Sequence, residues 1–422
     1  MSHSKISRRS FLKAAALASA GLTLTGRMPM PARAQANLSG TVNYWHHFTS
    51  DVEFAGMEEV IKLFAKKYPD VKVVQENIPN KDYMAKFTAA VQANSRPHTA
   101  MVTADRVLDM VTMNGLIDLT DRINKWELKK FFPDNRFAGV TIDKKIYGIP
   151  SFTFVDWMYY RVDYFQEAGI DKPPSTLEEF LAAAKKLTDP SKNRYGFGLR
   201  GGDGGHIFIM DMLESFGSPL VVDGKVAIDK PKAVEAIKFW SELYTVHKVV
   251  PPSAPNDSFR QIMEAFKTGQ TAMVWHHTGS LAEIKAVLGD KFMTAIRPKG
   301  PADHIARVSY QYNGIMKEEN IDASMAWIGF WGETDATLAF LEKTGSFPVS
   351  EAVTTDPRIT DNKLYKAAID TIKFGRLPPR FIGYPGWAQK IVLPEFQKVL
   401  VGNQTPEGCV DVITKELEKA IS

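Results

Sequence analysis

Thr41-Val42-Asn43-Tyr44-Trp45-His46-His47, followed by Phe54, Met57, Ile61, Phe64 and Tyr68, decides the fold of this chain. Val42 and Tyr44 alternate at period two and a turn-rich edge follows His47, so a short strand runs from residue 41 to about 45. The five later residues recur at steps of three and four until Pro69 stops the run, which is the pattern of a helix with one apolar face. Residues 71–74 read as a second strand, 82–94 as a second helix, and 97–104 as a third strand ending at Asp105. A β-α-β-α-β order implies a parallel sheet with right-handed crossovers, hence an α/β class.

Alternation resumes beyond Pro150. Residues 152–161 are strongly apolar and β-prone, and Ser175-Thr176-Leu177-Glu178-Glu179 holds two overlapping capping boxes that start a helix carried by Leu177, Leu181, Ala184 and Leu187. Residues 195–199 return as strand. Helices follow over 206–216, 231–246, 259–267 and 279–288.

On the N-terminal side, Ser7-Arg8-Arg9-Ser10-Phe11-Leu12-Lys13 precedes an apolar run from Ala14 to Leu24 and the small residues Ala32, Ala34 and Ala36. Charged, apolar, then small-residue cleavage site is the order of an export leader, and the paired arginines resemble the twin-arginine motif. Residues 1–36 are therefore expected to be a removed signal peptide and the remainder a periplasmic protein. Apart from that leader, no stretch reaches the roughly 18 apolar residues of a membrane-spanning helix.

Removal of the leader changes the charge balance. It carries six basic and no acidic residues, so subtracting six from 52 leaves 46 basic against 48 acidic, a net of −2. Nucleic acid and anionic membranes lose their electrostatic basis as partners. Cys409 is the only cysteine, which excludes an internal disulfide and a thiolate metal cluster. The remaining length exceeds what one core usually serves, so two domains are expected.

Six segments resemble the extracellular solute-binding proteins of the maltose-binding type that serve carbohydrate ABC importers. They are the opening strand Val42–Phe48; Tyr147-Gly148-Ile149-Pro150; Tyr159–Ile170; Pro173–Phe180; Phe266–Met273 with Gly279-Ser280; and Thr344–Val349. Each is weak alone, but all stand in the family's order. Two differ from the usual pattern, with Arg161-Val162 for Asn-Lys and Leu177 for Trp. The resemblance implies a two-lobed periplasmic-binding-protein fold of type II, with parallel-rich sheets flanked by helices and the ligand cleft at the hinge. By analogy the first lobe takes residues 37–149 and 276–311, and the second 150–275 and 312–422. It implies a non-enzymatic protein, monomeric and without cofactor, that captures a sugar or polyol and delivers it to permease subunits. A glycerol-phosphate-type ligand and a sensor subunit are the alternatives.

A sugar offers hydroxyl edges and apolar C–H faces, so its pocket needs flat aromatic rings and hydrogen-bonding side chains at strand ends. Trp45 and His46 end the first strand, with core packing as the alternative. Tyr83 follows the turn at Asn80-Lys81, and Asp105 ends the third strand, where it could instead cap the next helix. The resemblance adds Phe152 at the first crossing segment, Trp275 and Gly279 at the second, Tyr312 and Asn313 at the third, and Arg380 near the C-terminus. Tyr310 and Tyr312 stand where the family usually has glycine, so a side-chain contact replaces a backbone one there.

Other signals carry less. Gly196-Phe197-Gly198-Leu199-Arg200-Gly201 fits G-x-G-x-x-G, but its glycines fall inside a strand and not between strand and helix. His46-His47 and His276-His277 are adjacent pairs, and neighbours on a strand face opposite sides, so each offers one imidazole to a common site. Two imidazoles without a carboxylate or thiolate make a poor metal site. No nucleophile elbow occurs.

Overall fold

The computed structural model describes residues 38–421; the expected leader lies outside them. Eight strands build the main sheet: β1 (Gly40–His46), β2 (Val71–Asn77), β3 (Thr99–Thr103), β4 (Ile149–Arg161), β5 (Tyr195–Gly198), β6 (Thr271–His277), β7 (Phe292–Ala295) and β8 (Val308–Ile315). Their order is β2-β1-β3-β8-β4-β6-β5, with β7 also on β4. The helices that matter below are α1 (Asp51–Lys67), α2 (Tyr83–Gln92), α3 (Leu177–Leu187), α4 (His206–Ser215), α5 (Lys230–Thr245), α6 (Phe259–Thr268), α7 (Leu281–Leu288), α8 (Ile321–Phe330), α9 (Thr334–Thr344) and α10 (Pro406–Ile421).

The opening runs as the sequence predicts. β1 pairs in parallel with β2 and β3. α1 crosses between β1 and β2, started by a capping box in which Ser50 and Glu53 satisfy each other's backbone N–H, and it buries Met57, Val60 and Phe64. Of the two boxes read at α3, half of the one on Thr176 forms: its hydroxyl accepts from the Glu179 N–H, but the Glu179 carboxylate accepts from the N–H of Ser175, one residue earlier, at 2.8 Å.

β4 joins two halves of the sheet. Residues 149–155 pair antiparallel with β8, which in turn pairs with β3. Residues 156–161 pair instead with β6 and β7, and β6 with β5. One half is thus β2-β1-β3-β8, the other β5-β6-β7, and β4 belongs to both. α9 packs on α1, and α8 on β1 and β8, all on the first half. The core of the second half gathers Phe180, Phe197, Trp240 and Trp275 with Phe381, Tyr384, Trp387, Phe396 and Leu417 from the C-terminal part of the chain.

These pairings divide the chain differently from the sequence-based division at 311/312. β7, expected with the first lobe, bonds to the second-half end of β4. β8 and the two helices after it, expected mostly with the second lobe, belong to the first half. The difference has a local cause: β8 is a continuous strand through Tyr312 and Asn313, with a register shift between Gln311 and Tyr312, where the resemblance implies a glycine-rich crossing.

Candidate functional site

A cavity of about 420 Å³ lies where the C-terminal ends of β1 and β3 meet those of β5 and β6. Crevices outside the carboxyl ends of strands are where open α/β sheets take ligands. From the first half come His47, Glu53, Asp105 and Arg106; from the second, Arg200, His206, Phe259, Arg260, His276 and His277. The shared strand adds Phe154 and Asp156, β8 and its approach add Arg307, Tyr310 and Gln311, and the C-terminal part adds Tyr384.

Beneath the cavity lies a buried ion network. Asp211 of α4, wholly inaccessible, accepts from Arg297 at 2.7 Å and from Arg307 at 2.5 Å; Arg307 also donates to Glu214 at 2.7 Å and to the Leu377 carbonyl at 3.1 Å. Arg297 reaches Asp156 at 3.4 Å. Burial works against the charge of Arg307, but Asp211 and Glu214 more than offset it and hold the guanidinium above its ordinary value. Burial pushes the Asp156 carboxyl up to about 7, against the opposing pull of Arg297. Two arginines and three carboxylates thus tie α4, β4, the loop after β7 and the approach to β8 into one block.

The wall itself is less completely satisfied. Arg106, 5% exposed, lies over the Tyr83 ring at 5.3 Å and donates Nη2 to Asn80, while its Nε and Nη1 have no partner among the described residues. His47 Nδ1, His206 Nδ1 and Gln311 Oε1 are also buried without partners among the described residues. Asp105 is half-buried and its carboxylate accepts no hydrogen bond among the described residues. Burial, aided by Arg200, pushes His206 and His277 down to about 3. His47 and His276 are likewise held well below the ordinary imidazole range, by burial first and neighbouring cations or imidazoles second. All four are neutral near pH 7, each able to donate from one nitrogen and accept at the other.

Flat rings line the same space. Phe154 stacks on His277 at 4.2 Å, and Phe259 on His276 at 4.4 Å. Gly279 makes the first stack possible, since a Cβ there would sit 2.5 Å from the Phe154 ring.

Of the ten sequence candidates, the structure brings Asp105 and Gly279 onto the cavity wall. The Gly279 N–H, however, donates to His277 Nδ1 at 3.1 Å and not into the cavity. Trp275 is in the second-half core, 5.1 Å from Trp240 and against Phe180 and Phe197. Trp45 is buried away from the cavity, donating Nε1 to Glu76 at 2.7 Å beneath Lys86. His46 is bound to Gln75 at 2.7 Å, and His47, one residue past the strand end, takes the wall position. Tyr83 supports the wall from behind, with its hydroxyl on the Met101 carbonyl at 2.8 Å. Phe152 packs among Phe48, Phe340 and Trp331, two residues short of Phe154. Tyr312 is buried against Gly139, and Asn313 accepts from Tyr44 at 2.7 Å. Arg380 donates to the Ala138 carbonyl at 2.7 Å, beside the wall and not on it.

His276 and His277 both line the cavity with ring centroids 4.0 Å apart, because the strand ends there and its alternation lapses. Among the described residues no group of three or more His, Cys, Asp or Glu side chains is placed to hold a metal ion. Sequence reasoning missed Arg106, Phe259 and His206. The first sits one position from a residue it chose; the other two open helices whose N-termini it had located.

Two sheet halves joined through a shared strand, with a polar and aromatic cavity between their strand ends, define a two-lobed solute-binding fold. Residues 49–337 match the bacterial extracellular solute-binding proteins, and the chain belongs to that family. A putative binding protein of Brucella abortus (strain 2308) is 24% identical over 358 residues, which cover 83% of this chain and 86% of that protein. The putative ABC transporter periplasmic-binding protein YcjN of Escherichia coli (strain K12) is 22% identical over 81% of this chain and 79% of its own. An ABC transporter solute-binding protein of Thermotoga lettingae TMO, solved with alpha-D-tagatose bound, matches with a TM-score of 0.82 and 24% identity over 91% of this chain and 100% of that one.

Proposed function

We propose that this protein captures a sugar outside the cytoplasmic membrane and delivers it to the permease of an ABC transporter, without chemical turnover. The cavity wall carries the reading: neutral imidazoles, a free carboxylate and an amide oxygen surround stacked aromatic rings, which suits hydroxyl edges and C–H faces together. The relatives named above support the transporter assignment, and the bound tagatose of one supports a sugar. The leader over residues 1–36 supports export through the twin-arginine route to the periplasm.

Both sheet halves contribute wall residues, so ligand contacts would favour closure of one lobe on the other about β4 and the start of β8, as a population shift. On this reading the first lobe holds β1–β3, β8, α8 and α9, and the second holds β5–β7 and the C-terminal helix. The protein acts as a monomer with no cofactor. Uptake of radiolabelled sugars by cells lacking the gene tests the role. Loss of uptake for one sugar class, restored by the wild-type gene and not by Asp105→Asn, is expected; unchanged uptake across mono- and oligosaccharides refutes it.

A further inference from the structure

We infer that the sugar taken by this cavity carries an anionic group, a carboxylate or a phosphate, held between Arg106 and Arg200; this rests on the sugar-binding reading above.

Five arginines lie in or beneath the cavity, and their charges are balanced unequally: Arg260 pairs with Glu283 at 3.3 Å. Arg297 and Arg307 share Asp211, with Asp156 and Glu214 as further partners. Arg106 and Arg200 have no carboxylate within ion-pair distance among the described residues. Arg106 is nineteen-twentieths buried, yet two of its three guanidinium nitrogens have no partner among the described residues, and the third rests on Asn80, a neutral amide. Arg200 donates Nε to the Asp203 carbonyl at 2.6 Å, again a neutral acceptor, and its guanidinium lies across Gly204, where a Cβ would collide with it. Arg200 is half-buried, and desolvation pushes it down to about 10 against the longer-range pull of Asp203 and Asp156, so it remains charged near pH 7.

A buried cation is costly unless an anion compensates it. Two cations stand on opposite walls, the buried Arg106 after β3 and the half-buried Arg200 after β5, so closure around a neutral ligand concentrates like charge. An anionic group between them removes that cost and gives the free N–H groups of Arg106 their acceptors.

The rest of the wall excludes a bare anion as the full ligand. Asp105 offers an unpartnered carboxylate that suits hydroxyl donors and repels a second anion. His47, His206 and Gln311 present free polar atoms, and Phe154 and Phe259 present apolar faces. One anionic end and several hydroxyls on a ring satisfy this set, which is the chemistry of a uronic acid or a sugar phosphate.

Isothermal titration of the purified protein with matched pairs tests the inference: glucose against glucuronate, galactose against galacturonate, and each hexose against its 6-phosphate. The expected result is at least about tenfold tighter binding of an acidic member than of its neutral partner, the effect of one charged hydrogen bond. Preference for the uronate or for the phosphate identifies which anion the site takes. Arg106→Gln and Arg200→Gln, each confirmed folded by its melting curve, should reduce that preference to within about threefold of unity. A neutral sugar that binds as tightly as its acidic partner overturns the inference and leaves the sugar-binding reading standing. So does an acid preference that both variants retain. No binding by any member overturns both.

Discussion

Asp211→Asn should destabilise this protein by about 3–5 kcal/mol, the usual cost of removing one partner from a buried ion pair. Asp211 is wholly inaccessible and accepts from Arg297 at 2.7 Å and Arg307 at 2.5 Å. Asparagine keeps the volume but supplies one acceptor oxygen and turns an NH₂ toward one guanidinium. Arg307 retains Glu214 and the Leu377 carbonyl, so it is partly compensated. Arg297, 2% exposed, keeps only the longer contact to Asp156 at 3.4 Å. That asymmetry places most of the loss on Arg297. Urea unfolding measures it as a lower midpoint at an unchanged slope. Because the network is shielded from solvent, the loss should be the same between roughly 0.05 and 0.5 M salt. A loss below about 1 kcal/mol, or one that vanishes at high salt as an exposed pair's does, refutes the reasoning.

Trp275→Ala, a core truncation between Trp240 and Phe197, should cost about 3–5 kcal/mol in urea unfolding while the folded variant keeps its ligand affinity; a binding defect without a stability loss contradicts the core placement. Gly279→Ala puts a methyl 2.5 Å from Phe154 and should weaken sugar binding by roughly 1–3 kcal/mol through displacement of the ring stacked on His277, readable by titration calorimetry. Stability should fall steeply as pH drops below about 6.5. The unfolded chain then protonates His47, His206, His276 and His277, which the folded state holds neutral. Asp156 acts in the opposite sense, since its folded form takes a proton near pH 7 and the unfolded form only near 3.8. The imidazoles outnumber Asp156, so the melting temperature should fall between pH 6 and 4, and one that stays flat over that range counts against it.

Much of the architecture is legible in the residues because local rules and global packing agree. Val42 and Tyr44 alternate, Pro69 ends α1, and Thr176 with Glu179 starts α3, so those elements follow from short-range chemistry. The division between halves was not legible, because β8 looks like a crossing segment until its pairing to β3 is seen. The site fared less well for a related reason. Whether His46 or His47 faces the cavity depends on where β1 stops, and one residue's difference moves a side chain from the wall to the sheet. Trp275 suits a ligand platform as well as a core, and only the rings from α3, β5 and α5 around it decide between them. The unpaired state of Arg106 is a property of what does not approach it, which no spacing rule reveals.

The most direct test of the central claim is a thermal-melt screen of the purified protein against mono- and oligosaccharides, uronates, sugar phosphates and polyols. Ligand at about 100 times its dissociation constant adds roughly 2.7 kcal/mol. A rise in melting temperature confined to one sugar class, and absent in Asp105→Asn, is the predicted result. No rise with any sugar, or release of a cleaved or modified product from a sugar that binds, would contradict capture without turnover.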